Sequence, residues 1–233
     1  SISWPFTGMI PIFPIPKDDK FKPEILSGLI ERWAKGLLAK EDKNRQGGDT
    51  YWGGKSMLKT CQAFNMAWQL QLPVAKDLYA EARRITADWL THEPGEKAFY
   101  YARYPLPCSG LVGFNPSYGS EQFTDNHFHY GYLAMSVALV GMHDPAWLAK
   151  YGPPAREVVK QYAEWERGSS RYPRLRTFEC WAGHSYAGGM SSGYDGNNQE
   201  SSSEAVGSWA GAFLLGAALG DQDMLATGAM GYA

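Results

Sequence analysis

The amino-acid sequence predicts an all-α domain, and three observations carry that reading. Apolar residues recur at helical spacing in successive segments from residue 23 onward, glycine- and proline-rich loops separate the segments, and no alternating βαβ strand pattern interrupts them. At 233 residues the chain can bury a sizeable core, and a single domain over 1–233 is expected.

Ile25, Leu26, Leu29, Ile30, Trp33, Leu37 and Leu38 repeat at helical spacing behind Pro23, which suits a first-turn position, so a helix is predicted over about 23–40. The charged, glycine-rich "KEDKNRQGGDTYWGG" reads as a loop. Met57, Cys61, Phe64 and Trp68 then mark one face of a second helix that "LQLP" ends, and Leu78, Ala82, Ile85 and Trp89 mark a third that "HEPGE" stops. Residues 98–126 are rich in aromatics, glycine and proline without helical period, and a loop of that length is expected to build a binding site. Helix resumes through "GYLAMSVALVGM", "AREVVKQYAEW" and "ESSSEAVGSWAGAFLLGAAL", with a second irregular segment at 168–198, and six helices are counted in all. Val206, Ala210, Phe213 and Ala217 are expected to line one face of the last helix, with Gly207, Gly211 and Gly216 allowing close approach of its neighbours.

A formal net charge of -2 and a pI of about 6.2, with both signs mixed along the chain, speak against nucleic acid or an anionic membrane surface as partner. No apolar run approaches the roughly 20 residues that span a bilayer, and the opening segment shows no basic stretch ahead of an apolar one, so no signal peptide is read there. Cys61, Cys108 and Cys180 are odd in number, far apart and in no CxxC spacing, which argues against a disulfide framework.

Two polar segments stand out from the helical pattern. "TDNHFHYGYL" places an acid, two of the chain's five histidines and two tyrosines within ten residues. "YDGNNQESSSEA" sets Glu200 and Glu204 beside amides and hydroxyls where a helix emerges from a loop, a composition suited to a ligand covered in hydroxyl groups. Four residues apart, the two glutamates would share one helix face if the helix includes both, and they equally suit dipole complementation in a first turn. Asp125 is at once a potential N-cap and, with a distant glutamate, a potential half of the acid and base pair that glycoside hydrolysis requires. Burial or a neighbouring carboxylate would have to keep that acid protonated. His127 and His129 would point the same way on an extended segment, and with Asp125 and His184 they sketch a metal site, but no HExxH-like spacing supports one. Hydrogen bonding to sugar hydroxyls, or holding the acid in place, is the better reading of the histidines, and no metal and no cofactor are expected.

The two segments together resemble a known family. "DNHFHYGY" is similar to the first signature of glycoside hydrolase family 81, the endo-β-1,3-glucanases, and "AGHSYAGG" followed by "DGNNQESSSEA" is similar to its second, with weaker likeness from "TYWGGK" to the helix ending near residue 219. The resemblance implies an (α/α)6 toroid that cleaves internal β-1,3-glucosidic bonds with inversion, and an extracellular or periplasmic location. It implies Asp125 as general acid, Glu204 as the base that activates water, and Glu200 as a supporting or alternative base. His129 and His184 become contacts to the glucan, joined within the signatures by Tyr130, Asp195 and Asn198, and Tyr51, Trp52 and Lys55 border the cleft. Asn126 stands where family members usually carry a second histidine, and Glu179 stands near an expected aspartate. The family's N-terminal β-sandwich does not fit within this chain, and six helices fall short of a toroid's twelve, so a partial or reduced toroid is expected. Two other readings remain open on the residues alone: a non-catalytic glucan-binding module, and a metal-dependent enzyme using Asp125, His127 and His129.

Overall fold

The computed structural model describes residues 14–39, 48–91, 101–103, 111–113, 115–188 and 198–233. Among them lie seven α-helices: α1 Pro23–Leu38, α2 Trp52–Gln69, α3 Ala75–Asp88, α4 Asn126–Gly141, α5 Pro145–Ala163, α6 Ser202–Leu219 and α7 Gln222–Tyr232. Two short antiparallel hairpins interrupt the irregular segments, β1 Tyr101–Arg103 with β2 Leu111–Gly113 and β3 Phe178–Glu179 with β4 His184–Ser185. The fold is all-α, as the periodicity predicts, and none of the described helices is long and apolar enough to cross a membrane. Cys61 is buried and Cys180 exposed, and both are free thiols.

α4 is the centre of the molecule. Every one of its residues from Asn126 to Gly141 is buried, because α2, α5 and α6 pack around it and α3 touches it from outside. A helix buried on all sides shows no amphipathic stripe, and beyond its polar first turns α4 is apolar nearly all round. α7 packs on α6, and α3 on α2.

Several boundaries differ from the sequence reading, each for a local reason. α2 begins at Trp52, inside the segment read as loop, because the Asp49 carboxylate accepts from the backbone N–H of Tyr51 at 2.8 Å and of Trp52 at 2.6 Å. α4 begins at Asn126, so the polar signature forms its first turns. α5 starts at Pro145 behind an Asp144 N-cap that accepts from Trp147 N at 2.9 Å, and it runs through Pro153 and Pro154, which the sequence reading left outside. α6 begins only at Ser202, so Glu200 lies outside it and does not share a helix face with Glu204. Beyond α6, Gly220 adopts a left-handed φ of 71° and Asp221 caps α7, a helix the sequence reading did not find.

The apolar face expected for α6 is only partly its buried one. Of its four residues Ala210 is buried, Val206 and Phe213 are half-buried and Ala217 is exposed, while Ala205, Ser208, Trp209, Ala212, Leu215 and Gly216 are buried as well. Both sides of this helix are apolar, so its period does not choose a face. The indole N–H of Trp209 does, donating to Ser185 Oγ at 2.7 Å.

Of the glycines expected to permit close packing, Gly211 does so against α4: a β-carbon there would stand 2.9 Å from Met135 N and 3.1 Å from Gly131 O. Gly207, in contrast, has nothing within 4 Å of that position. Gly211→Ala should therefore lower stability by about 1–3 kcal/mol through overpacking of backbone. Gly207→Ala should raise it by about 0.5–1 kcal/mol through the lower conformational entropy of the unfolded chain. Thermal unfolding of the two variants side by side checks the opposite signs.

Candidate active site

Backbone hydrogen bonds bring the two polar segments together. The amide of Asp125 donates to Ala187 O at 2.9 Å, the amide of Ala187 donates to Asn198 O at 2.9 Å, and Thr124 forms an antiparallel bridge with Gly188. The start of α4, the strand leaving β4 and the approach to α6 are thereby laced edge to edge. Among the described residues, four of the six non-glycine residues with positive φ lie in these connections or just before them: Tyr118, Phe123, Asp125 and Glu200. Backbone of this kind is costly for residues with a β-carbon and gathers at functional sites.

Asp125 occupies the N-cap position of α4 with φ 56°, yet its carboxylate makes no capping bond. Its side chain is buried, and Oδ1 has no hydrogen-bond partner. Desolvation, followed by the charges of Glu200 and Glu204, pushes its pKa up from 3.8 to about 7. The carboxyl is held near the midpoint of its titration at neutral pH.

Glu204 has the opposite environment. It sits in the first turn of α6 and accepts from the Tyr132 hydroxyl and from Lys55 Nζ at 3.0 Å. Burial alone would raise its pKa, but hydrogen bonds from Tyr132, Ser201 and Lys55 outweigh that and lower it to about 2. Lys55 in turn donates to the Tyr51 hydroxyl at 2.6 Å and lies 4.3 Å from the centre of the Tyr51 ring. Burial acts to lower the lysine's pKa, and Tyr51 and Glu204 more than offset it, so the ammonium is retained. Burial, reinforced by Glu204, drives the Tyr132 hydroxyl far above its ordinary range, so it serves as a donor.

The histidines do not share a direction. On α4, two residues of separation turn side chains about 200° apart at 3.6 residues per turn, so the same-facing arrangement of an extended segment is lost. His129 Nδ1 meets Thr50 Oγ1 at 2.7 Å, and its ring packs 5.3 Å from that of Tyr51. His127 is fully buried against Phe128, with neither ring nitrogen hydrogen-bonded. Burial lowers the pKa of His127 to about 3 and of His129 to about 4, so both rings are neutral. Among the described residues no group of three His, Cys, Asp or Glu side chains is placed to hold a metal ion. His184 sits half-buried on β4, with Nδ1 2.7 Å from Ser185 O.

The remaining candidates divide. Lys55, in the first turns of α2, bonds Glu204, Tyr51 and Trp52 gather around that lysine with ring centres 4.3 and 5.7 Å from its Nζ, and Asn198 and Glu200 are exposed on the approach to α6. Asp195 lies outside the described residues. Tyr130 is fully buried in the core, where its hydroxyl accepts from the amide of Gly113 at 2.9 Å, so it fastens β2 and does not face a ligand. Asn126, the departure from the family pattern, bonds Ser120 O at 2.8 Å and Gln161 Nε2 at 2.8 Å and ties the preceding turn to α5. Sequence reasoning missed Thr50, Tyr132 and Ser201. Tyr132 carried a signal, since it follows His129 by one helical turn, and Ser201 begins an S-x-x-E pattern ending at Glu204.

The raised value of Asp125 has a cost in stability with a definite sign. The unfolded chain releases this proton near 3.8 and the folded chain near 7, so the folded state binds the extra proton between those values and stability falls as pH rises through that window. Asp125→Asn, which cannot ionise, should raise Tm at pH 8 by at least about 2–4 °C and change it little at pH 3. Scanning calorimetry at the two pH values measures the difference.

The model of the glycosyl hydrolase family 81 C-terminal domain matches residues 35–233. A glucan endo-1,3-beta-D-glucosidase of Acetivibrio thermocellus is 40% identical over 180 residues, covering 75% of this chain and 23% of that protein. One from Glycine max is 40% identical over 188 residues, covering 77% and 28%. A solved mutant form of a glycoside hydrolase family 81 protein from Clostridium thermocellum superposes with a TM-score of 0.79 at 34% identity, covering 93% of this chain and 30% of that one. The chain thus spans roughly a quarter of the length of these relatives, and the all-α, toroid-like reading agrees with the solved fold. With a match that takes in both polar segments and every helix from α2 onward, the chain belongs to glycosyl hydrolase family 81, and the matched part is that family's C-terminal domain.

Proposed function

We propose that residues 1–233 act as a helical catalytic region that hydrolyses internal β-1,3-glucosidic bonds of β-1,3-glucan with inversion, Asp125 serving as general acid and Glu204 as general base. The observation that carries the reading is the opposite protonation of two carboxyl groups at one site. Asp125 is pushed up to about 7 by burial and carboxylate neighbours, while Tyr132, Ser201 and Lys55 hold Glu204 ionised down to about 2. Asp125 delivers its proton to the departing glycosidic oxygen as the C1–O bond breaks. Glu204 takes a proton from water whose oxygen forms the new bond to C1 from the opposite face. The proton lost by Asp125 and the one gained by Glu204 then exchange through solvent. His129, His184, Asn198, Tyr51 and Trp52 serve as sugar contacts around this pair, and Lys55 acts chiefly by fixing Glu204. The named relatives are glucan endo-1,3-beta-D-glucosidases, which supports this substrate, and a polysaccharide substrate of this kind suits an extracellular or periplasmic setting.

A specific observation favours a second assignment of the base. Three donors on Glu204 reduce its basicity, whereas Glu200 is exposed and is the larger charge acting on Asp125. In that reading Glu200 activates water and Glu204 organises the site.

Hydrolysis of a linear β-1,3-glucan by the unaltered chain, Asp125→Asn, Glu204→Gln and Glu200→Gln tests both readings. Asp125→Asn and the variant lacking the base should each lose about 10²–10⁴ in kcat, and azide should restore turnover only in the latter, which names the base. The kcat/KM of the unaltered chain should fall about tenfold per pH unit above about 7 as Asp125 loses its proton. Nuclear magnetic resonance of the first product should show the α-anomer. Glucan binding without hydrolysis by the unaltered chain would replace this reading with a non-catalytic glucan-binding module.

A further inference from the structure

We propose that Trp52 and Tyr118 form a stacking platform for one glucosyl ring of the glucan, on the Glu204 side of the site; this rests on the β-1,3-glucan reading above. Both rings are displayed to solvent, Trp52 at 53% and Tyr118 at 57% exposure. Neither is loose. Trp52 Nε1 donates to the Tyr118 hydroxyl at 3.2 Å, and the ring of Tyr51 packs edge-on against both, at 5.2 Å from Trp52 and 5.0 Å from Tyr118. Two large aromatic surfaces are thus locked in place without being buried, the arrangement of a preorganised contact and not of a core.

The pair is also wired to the carboxylate. Tyr51 lies 6.0 Å from the ring of Tyr132, which bonds Glu204, and its hydroxyl accepts from Lys55, which bonds Glu204 as well. The platform therefore stands one ring away from the groups that hold Glu204, within reach of a short oligosaccharide seated at the cleavage site.

The backbone points the same way. Tyr118 adopts φ 52° and is followed by Gly119 at φ 76°. A left-handed conformation disfavours a tyrosine and suits glycine, so folding alone selects against the ring that the structure exposes. A pyranose supplies what would make that ring useful, an apolar C–H face for the aromatic surfaces and hydroxyls at its rim. The Tyr118 hydroxyl accepts from Trp52 and keeps its own proton to donate to such a hydroxyl.

The test uses the full chain carrying Asp125→Asn, which holds glucan without turning it over, titrated with a linear β-1,3-linked glucose hexasaccharide by calorimetry. Adding Trp52→Ala or Tyr118→Gly should each weaken binding by about tenfold or more. Tyr118→Phe should bind within about threefold of the parent, because stacking survives. Tyr118→Gly should at the same time leave Tm unchanged or raise it, since glycine tolerates the positive φ, and a ring with a merely structural role would not separate stability from binding. Unchanged affinity in both Trp52→Ala and Tyr118→Gly, with the parent binding normally, overturns the platform alone. Absence of hexasaccharide binding by the parent overturns the glucan reading and the platform with it.

Discussion

The burial of α4 on every side is the constraint from which the site follows. A helix enclosed by α2, α5 and α6 carries whatever stands at its N-terminus out of water, and here that is Asp125, Asn126, His127 and His129. Buried polar groups must find partners or change protonation. Asn126 finds partners in the preceding turn and in α5. The two histidines become neutral, and Asp125, with an unpartnered carboxylate oxygen, keeps its proton to unusually high pH.

Glu204 escapes the same fate because it is served from three elements at once. Tyr132 comes from α4, Lys55 from α2 and Ser201 from the cap of α6 itself. The close approach of α6 to α4 at Gly211 is what sets the first turn of α6 beside Tyr132, so a packing feature in the core bears on the ionisation of a carboxylate at the surface end of the helix. One site then holds a carboxyl that retains its proton and another that gives it up, and the asymmetry arises from who surrounds each group and not from the chemistry of aspartate and glutamate.

Much of the fold was legible in the sequence, and the parts that were not share a cause. Helices with one wet face, α1 and α3, show their period and were placed to within a few residues. α4 has no wet face, so its polar first turns resemble loop, and α6 is apolar on both sides, so its period does not mark which face is buried. The proline pair within α5 suggested a start ten residues late, although Asp144 followed by Pro145 is an N-terminal signal. At the site, Asp125 and Glu204 were singled out as a pair by the resemblance of their two segments to the family signatures, since residue type and spacing suit capping equally well. Their partners did not, because Tyr132 meets Glu204 across 72 residues of sequence and Thr50 meets His129 across 79. The shared helix face imagined for Glu200 and Glu204 fails by two residues, the distance from Glu200 to the first residue of α6.

The central claim is that Asp125 and Glu204 differ in protonation in the folded, ligand-free chain. Carbon-13 resonance titration of side-chain carboxyls in protein labelled at Asp and Glu, with signals assigned through Asp125→Asn and Glu204→Gln, measures it directly. The account predicts an Asp125 carboxyl that titrates near 7 and a Glu204 carboxylate that stays ionised until the pH approaches 2. Both groups titrating together in the ordinary carboxylate range, about 3.5–4.5, would contradict it.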